Sequence, residues 1–255
     1  MILRRIARSV RARDWFTVAI EFAIVVAGVF IGIQVANWNE ARKFAAQERS
    51  YLAQLRDEIA DNNRAVEYQV QYTGEVVAAG QRALVYLDSD GDCAGDCADL
   101  LVDFFHSSQI WGSPNLFAKY RELERLGFPS DATVRDAVQA YYFYLEGWDA
   151  VNAFTPAYRE TVRGHITPQA FMHLWGDCHV VLDGQLEQLL RGCVADLGSL
   201  NTGAMLRDIH ADPVLKQQLQ FWLGQNILAE VAYPAMQAYG EAAMAAVSGE
   251  LAVTP

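Results

Sequence analysis

Positive charge is scarce in this chain. Twenty lysines and arginines stand against 31 aspartates and glutamates, a net charge of −11 over 255 residues. Five of the arginines, Arg4, Arg5, Arg8, Arg11 and Arg13, crowd the first 13 positions, which hold no acidic residue. Without those five, 15 basic residues remain against 31 acidic ones, a net charge of −16. A body so acidic has no footprint for nucleic acid and no basic face for anionic lipid. Catalytic signatures are missing too: there is no G-x-S-x-G, G-x-x-x-x-G-K-[ST], H-E-x-x-H or G-x-G-x-x-G. His106-Ser107-Ser108 sets a base beside hydroxyls, and Asp208 stands near His210. Triad members, however, meet in space and not along the chain. No constellation with defined roles can be assembled, so no catalytic residue is assigned and the chain is not read as an enzyme. Strand signals are also lacking, since nowhere do four to eight residues alternate cleanly between apolar and polar.

What is present begins with residues 15–36, WFTVAIEFAIVVAGVFIGIQVA. As a helix these span roughly 33 Å at 1.5 Å per residue, enough to cross a ~30 Å hydrocarbon core. Residues 22–33 carry no polar side chain, and Trp15 and Trp38 bracket the segment as interfacial aromatics do. No A-x-A-like cleavage site follows, because Gln34 stands two places before Ala36, so the segment reads as an uncleaved signal anchor. The arginine-rich side stays cytoplasmic and the remainder crosses, giving a single-pass protein with an exported body. Gly28 and Gly32 form a GxxxG pair that Ala36 extends, and Glu21 lies within about 20° of both glycines on a helical wheel. Small residues that admit close backbone approach, beside an intramembrane carboxylate, are a face for helix association in lipid.

The segment from Glu21 to Asn37-Trp38-Asn39-Glu40, EFAIVVAGVFIGIQVANWNE, resembles the start of a family of uncharacterised bacterial single-pass membrane proteins. The family shows an acidic residue, an aliphatic span with a glycine, and a closing Q-x-x-N-W-N-E, matched here by Glu21, Gly28, Gln34, Asn37, Trp38, Asn39 and Glu40. A second stretch is similar to that family's other recurring pattern: Tyr120-Arg121-Glu122-Leu123, Leu126-Gly127, Val134-Arg135 and Tyr141-Tyr142. The family's domain has no assigned function. The resemblance implies a bacterial inner-membrane anchor, a periplasmic helical body and nothing catalytic.

Beyond the span, residues 40–87 contain no proline. Phe44, Leu52, Leu55, Ile59, Val66, Val70, Val77, Leu84 and Leu87 recur at helical steps, a stalk helix weakened by Asn62, Asn63, Gly74 and Gly80, with a break expected near 74–80. Next comes DSDGDCAGDCAD. Asp88, Asp90, Asp92, Asp96 and Asp99 fall at positions 1, 3, 5, 9 and 12 of an EF-hand-like loop, a candidate calcium site. Two departures count against it: Cys93 stands where the loop needs glycine, and Asp99 replaces the bidentate glutamate. A solvated acidic turn pinned by cysteines is the other reading.

Cysteine is sparse. Cys93, Cys97, Cys178 and Cys193 all follow the span, and an even number in an oxidising space reads as two disulfides. Spacing favours local pairing, Cys93 with Cys97 and Cys178 with Cys193, over pairing between the clusters. A zinc site of Cys178 and Cys193 with His165, His173 or His179 matches no zinc spacing, and C-x-x-x-C is one residue longer than the redox motif.

Further helices are expected from Ser113-Pro114 to about 126, from Ser130 to about 147, from Thr167-Pro168 toward Gly176, over 178–191, and from Asp212-Pro213, with Pro234 kinking or splitting the last. Trp111 is expected on an exposed loop, and Tyr141, Tyr142, Tyr144, Trp148 and Phe154 as core or as an apolar groove. The organisation is thus a tail (1–14), a transmembrane helix (15–38), a stalk (39–87) and an all-α body (88–255) packed with the stalk. Two roles fit: a structural or accessory subunit that self-associates or joins a membrane complex, and a periplasmic module binding a metal ion or apolar ligand. The expected partners are the bilayer and homo-oligomer or complex subunits, with no nucleic acid.

Overall fold

The computed structural model describes residues 15–193 and 196–253. The five N-terminal arginines lie outside the described residues. The chain is 76% helical, so the class is all-α, with eight helices and one small hairpin among the described residues. In order these are α1 (Trp15–Leu87), α2 (Cys97–Ser107), α3 (Ala118–Leu126), α4 (Ala132–Asn152), α5 (Ala157–Gly164), α6 (Pro168–Asp177), β1 (His179–Leu182), β2 (Leu186–Leu189), α7 (Thr202–Ala211) and α8 (Leu215–Val253). Two compact units divide between Tyr51 and Leu52, within α1.

The first unit contains the apolar segment. Its most apolar stretch has a mean hydropathy of 2.4 and none of it is buried within the chain. It belongs to a helix long and apolar enough to cross a membrane.

The second unit starts where α1 begins to bury side chains. Leu52, Leu55, Ile59, Val66, Tyr72, Val76, Ala83 and Tyr86 all face inward at steps of three, four or their sums. Residues 52–87 therefore belong to the body and are no free stalk. The expected break at 74–80 does not occur: α1 runs through both glycines. Gly80 instead admits the Leu223 side chain of α8, which a Cβ would strike. The main core joins Ala83 and Tyr86 to Phe104 and Phe105 of α2, Tyr158 of α5, Leu174 of α6, Ile209 of α7 and Leu219 of α8. A second cluster holds Tyr72, Val76 and Trp111 against Leu186 and Leu189 of the hairpin.

Several elements depart from the sequence reading for identifiable reasons. Residues 178–191 form an antiparallel hairpin, with Leu182 opposite Leu186 and His179 opposite Leu189. Asp183 (φ 53°) and Gly184 (φ 71°), both left-handed, are the central residues of its turn, closed by the Gln185 N–H to Leu182 carbonyl bond (3.0 Å) in a three-residue loop. Cys178–Cys193 and the Leu190 N–H to Cys178 carbonyl bond (3.0 Å) clamp its open end.

The helix expected from Ser113 begins only at Ala118, because side chains capture the preceding backbone. The Asn62 amide brackets Leu116, donating to its carbonyl and accepting from its N–H, both at 2.8 Å. Ser113 donates to Glu187 instead of capping. Asp131 rather than Ser130 caps α4, accepting from the Val134 N–H at 2.9 Å. Thr167 caps α6 with Pro168 in the first turn, as expected. The last helix starts at Leu215, since Asp212 turns its carboxylate to the Val214 N–H and to His165. Pro234 does not split α8; the neighbouring Tyr233 and Met236 stay buried on the face that α4 packs against.

Candidate functional site

The association face, Glu21, Gly28, Gly32 and Ala36, lies on one helix, and a Cβ at either glycine would meet nothing within 4 Å. Trp15, Asn37, Trp38, Asn39 and Glu40 are exposed, with the Arg42 guanidinium 4.9 Å over the Trp38 ring.

The acidic loop does not build the coordination sphere its spacing suggested. Asp88 is ion-paired to Lys216; Asp90 and Asp92 accept from the N–H groups of Asp92 (3.3 Å) and Ala94 (3.0 Å). Asp96 and Asp99 sit at the start of α2. Among the described residues no three His, Cys, Asp or Glu side chains converge to hold a metal ion. The carboxylates of Asp90 and Asp92 serve turns and that of Asp88 a lysine, and the Cys93–Cys97 bridge closes the loop beside them. The same convergence is lacking around Cys178, which is bonded to Cys193. Both cysteine pairs are thus the local ones that the spacing favoured. His106 turns its Nε2 to the Cys178 carbonyl, and Ser107 pairs with the Tyr158 hydroxyl at 2.7 Å, so base and hydroxyl diverge.

What the body does form is a half-open cavity of about 620 Å³. Its walls come from distant parts of the chain: Tyr72 and Thr73 of α1, Gln109 to Trp111 after α2, Trp148 and Val151 of α4, Phe154 to Ala157, and Trp222, Asn226 and Tyr233 of α8. Trp111, expected to be exposed, is buried. Its ring meets Tyr72 edge-on at 5.5 Å and its indole N–H donates to the Ser113 carbonyl at 2.8 Å. Trp148 packs against Tyr233 with centroids 5.2 Å apart. Tyr141 and Tyr142 are core residues, whereas Phe154 is 77% exposed at the rim.

Most polar groups of the wall are already engaged. Trp222 donates to the Ser107 carbonyl (2.8 Å), Tyr72 to the Ile110 carbonyl (3.2 Å), Asn226 to the Trp222 carbonyl (2.9 Å), and Thr73 pairs with Tyr233 (3.2 Å). Burial pushes the Tyr233 phenol above its ordinary value, opposed by Thr73 and by the Trp148 indole, which faces it without closing a hydrogen bond. Gln109 differs. It is 1% exposed, and its Nε2 has no hydrogen-bond partner among the described residues.

Beside Gln109 lies a half-buried charged layer. Arg159 donates to the Ser108 carbonyl at 2.7 Å and, more weakly, to Gln109 Oε1 at 3.4 Å. Arg163 donates to Ser108 Oγ and stands over the rings of Phe105 and Trp175. Burial lowers both guanidinium pKa values, that of Arg163 to about 10 with Arg159 adding repulsion. Among the described residues the Glu187 carboxylate acts on Arg159. Burial would raise Glu187, but hydrogen bonds from His179 (3.2 Å), the Gly112 N–H (2.8 Å) and Ser113 (3.1 Å) outweigh it and hold the group below the usual carboxylate range.

No family model, curated protein or solved structure matches this chain. Sequence reasoning found Trp148 and Phe154 but missed Gln109, Arg159, Arg163 and Glu187. The one readable signal among them was Asp183-Gly184, which would have placed Glu187 in a hairpin.

Proposed function

We propose that this chain is a membrane-tethered binding module, a single-pass inner-membrane protein whose periplasmic helical body takes up an apolar small molecule. The observation that carries this reading is the cavity, within the 300–1,000 Å³ range of small-molecule sites and lined by Tyr72, Trp111, Trp148 and Trp222. The span supplies the tether and the acidic body disfavours nucleic acid. A bacterial origin and membership of the single-pass family follow the anchor motif ending in Asn37-Trp38-Asn39-Glu40. No catalytic role is proposed.

The test is native mass spectrometry of the full chain after gentle extraction from its own membrane. An apolar adduct on the wild type that is lost in Ala229→Phe, which enlarges a cavity-wall side chain, supports the reading. An adduct-free wild type, or one retained equally in the variant, overturns it.

A second reading has its own observation. On the face of Glu21, Gly28, Gly32 and Ala36 the glycines and Ala36 are exposed among the described residues, so the span is suited to self-association or to a place in a larger membrane complex. The same experiment reads it: copies or stoichiometric foreign subunits released by Gly28→Leu support it, and a monomer in both proteins overturns it.

A further inference from the structure

The cavity is not uniformly apolar: among the described residues two buried wall donors, the Trp148 indole N–H and the Gln109 amide, lack an acceptor, and the second has a fixed direction. An amide side chain can usually present either end, because its oxygen and nitrogen are near-equivalent in shape. At Gln109 the choice is made by chemistry. Arg159 has only N–H groups to offer, so the amide end facing it must be the oxygen. The NH₂ group is therefore turned away from the guanidinium. It belongs to a residue of the cavity wall, it is buried, and it has no acceptor among the described residues. A buried donor without an acceptor is destabilising, a cost relieved when a ligand brings the acceptor.

Charge points the same way. Two guanidinium groups, Arg159 and Arg163, are hydrogen-bonded to Ser108, the first also to Gln109, and the Glu187 carboxylate acts on Arg159 through its field without an ion pair. The Arg163 Nη2 group is likewise buried and without a partner. A half-buried layer with two guanidinium groups and one carboxylate favours a single negative charge at the Gln109 end. At the other end the wall is aromatic and aliphatic, opening past Val151, Phe154 and Phe221.

Resting on the binding reading above, we infer that the ligand is an apolar monocarboxylate whose carboxylate accepts from Gln109 Nε2 while its hydrocarbon part lies against Trp148, Phe154 and Trp222. The interaction is a charge-assisted hydrogen bond at the floor of the cavity, with the arginines acting through Gln109 and through their field. An uncharged analogue of the same chain length keeps the apolar contacts and loses the charge complementarity.

The experiment is photolabelling of the full chain in lipid nanodiscs with an eleven-carbon carboxylic acid carrying a diazirine at its far end. The matching primary alcohol and primary amine are run beside it, and labelled peptides are mapped by mass spectrometry. The acid is expected to label residues 148–157 and 221–233 at least tenfold more than the alcohol, and the amine less than either. Gln109→Leu is expected to reduce acid labelling about tenfold and leave alcohol labelling unchanged. Because Gln109 is buried, Gln109→Glu is the second variant. It supplies Arg159 with a carboxylate partner, so the fold is kept while the incoming carboxylate is repelled, and acid labelling falls further. Equal labelling by acid and alcohol, unaltered by either variant, overturns the carboxylate assignment and leaves the cavity standing. Labelling confined to residues 15–36 by all three probes overturns both.

Discussion

Tyr142 donates its hydroxyl to Glu58 at 2.8 Å across 84 residues of sequence, and the same carboxylate caps a helix to which neither residue belongs. Glu58 accepts from the backbone N–H groups of Lys119 (2.7 Å) and Tyr120 (3.0 Å), satisfying donors that open α3 and complementing its dipole. Tyr120 then stacks on Tyr142, ring centroids 4.1 Å apart and nearly parallel. Three elements are thereby tied at one buried point. Glu58→Ala leaves three donors without an acceptor and should lower unfolding free energy by about 3 kcal/mol or more, whereas Tyr142→Phe should cost about 1 kcal/mol. Urea denaturation followed by circular dichroism decides; equal effects of the two substitutions contradict the capping role.

Alkaline pH should unfold the body early. Burial raises the phenols of Tyr141, Tyr142 and Tyr158 well above their ordinary value of 10.0, with Glu58 adding to the first two. Above pH ~10 the unfolded chain loses these protons while the folded one keeps them, so stability is complete below that pH and falls as pH rises through it. Melting temperature measured from pH 8 to 11 should be flat to about 9.5 and then drop. A flat profile to pH 11 contradicts this.

Two glycines of equal helical standing should respond oppositely to alanine. At Gly240 a Cβ would collide with the Asn63 amide and crowd the Tyr141 ring, so Gly240→Ala should destabilise by about 1–3 kcal/mol. At Gly74 nothing lies within 4 Å, so Gly74→Ala should stabilise by up to about 1 kcal/mol through helix propensity. Thermal melts of both variants check the pair. Destabilisation at Gly74 would mean that the helix there is under a constraint the packing does not reveal.

These examples show which parts of the fold could be read from sequence. The apolar periodicity of residues 52–87, the cap Thr167 and the local cysteine pairs are legible, because each is a short-range pattern with one physical meaning. Asn62 and Gly80 were read as helix weakness because their compensation lies elsewhere: a loop backbone at Leu116 for one, the Leu223 side chain for the other. The Leu-rich stretch 178–191 satisfied a helical spacing, and the Asp183-Gly184 turn outweighed it. Gln109 carried no signal at all. Its meaning comes from Arg159, 50 residues away, and is visible only when the two are folded together. In the aspartate loop the ligand types were present at the right spacing, yet backbone N–H groups and Lys216 took the oxygens first.

The association face of the span gives a prediction independent of the cavity. Glu21→Leu and Gly28→Leu should each dissociate a self-assembled or mixed complex in mild detergent while leaving the melting of the body unchanged, since the two positions lie outside the unit that begins at Leu52. Analytical ultracentrifugation reads the first effect and circular dichroism the second. An unchanged sedimentation profile in both variants contradicts association through this face.

The most direct measurement is a fluorescence titration of the full chain in nanodiscs with 1-aminoanthracene, a neutral apolar fluorophore that brightens in dry cavities. Wild type should give a saturable enhancement at one site per chain. That signal should vanish in Ala229→Phe, with Val151→Glu at the rim as a second variant, in proteins whose melting temperatures are unchanged. A linear, non-saturating rise that is the same in all three proteins would reflect partition into lipid alone, and would contradict a ligand cavity in the body.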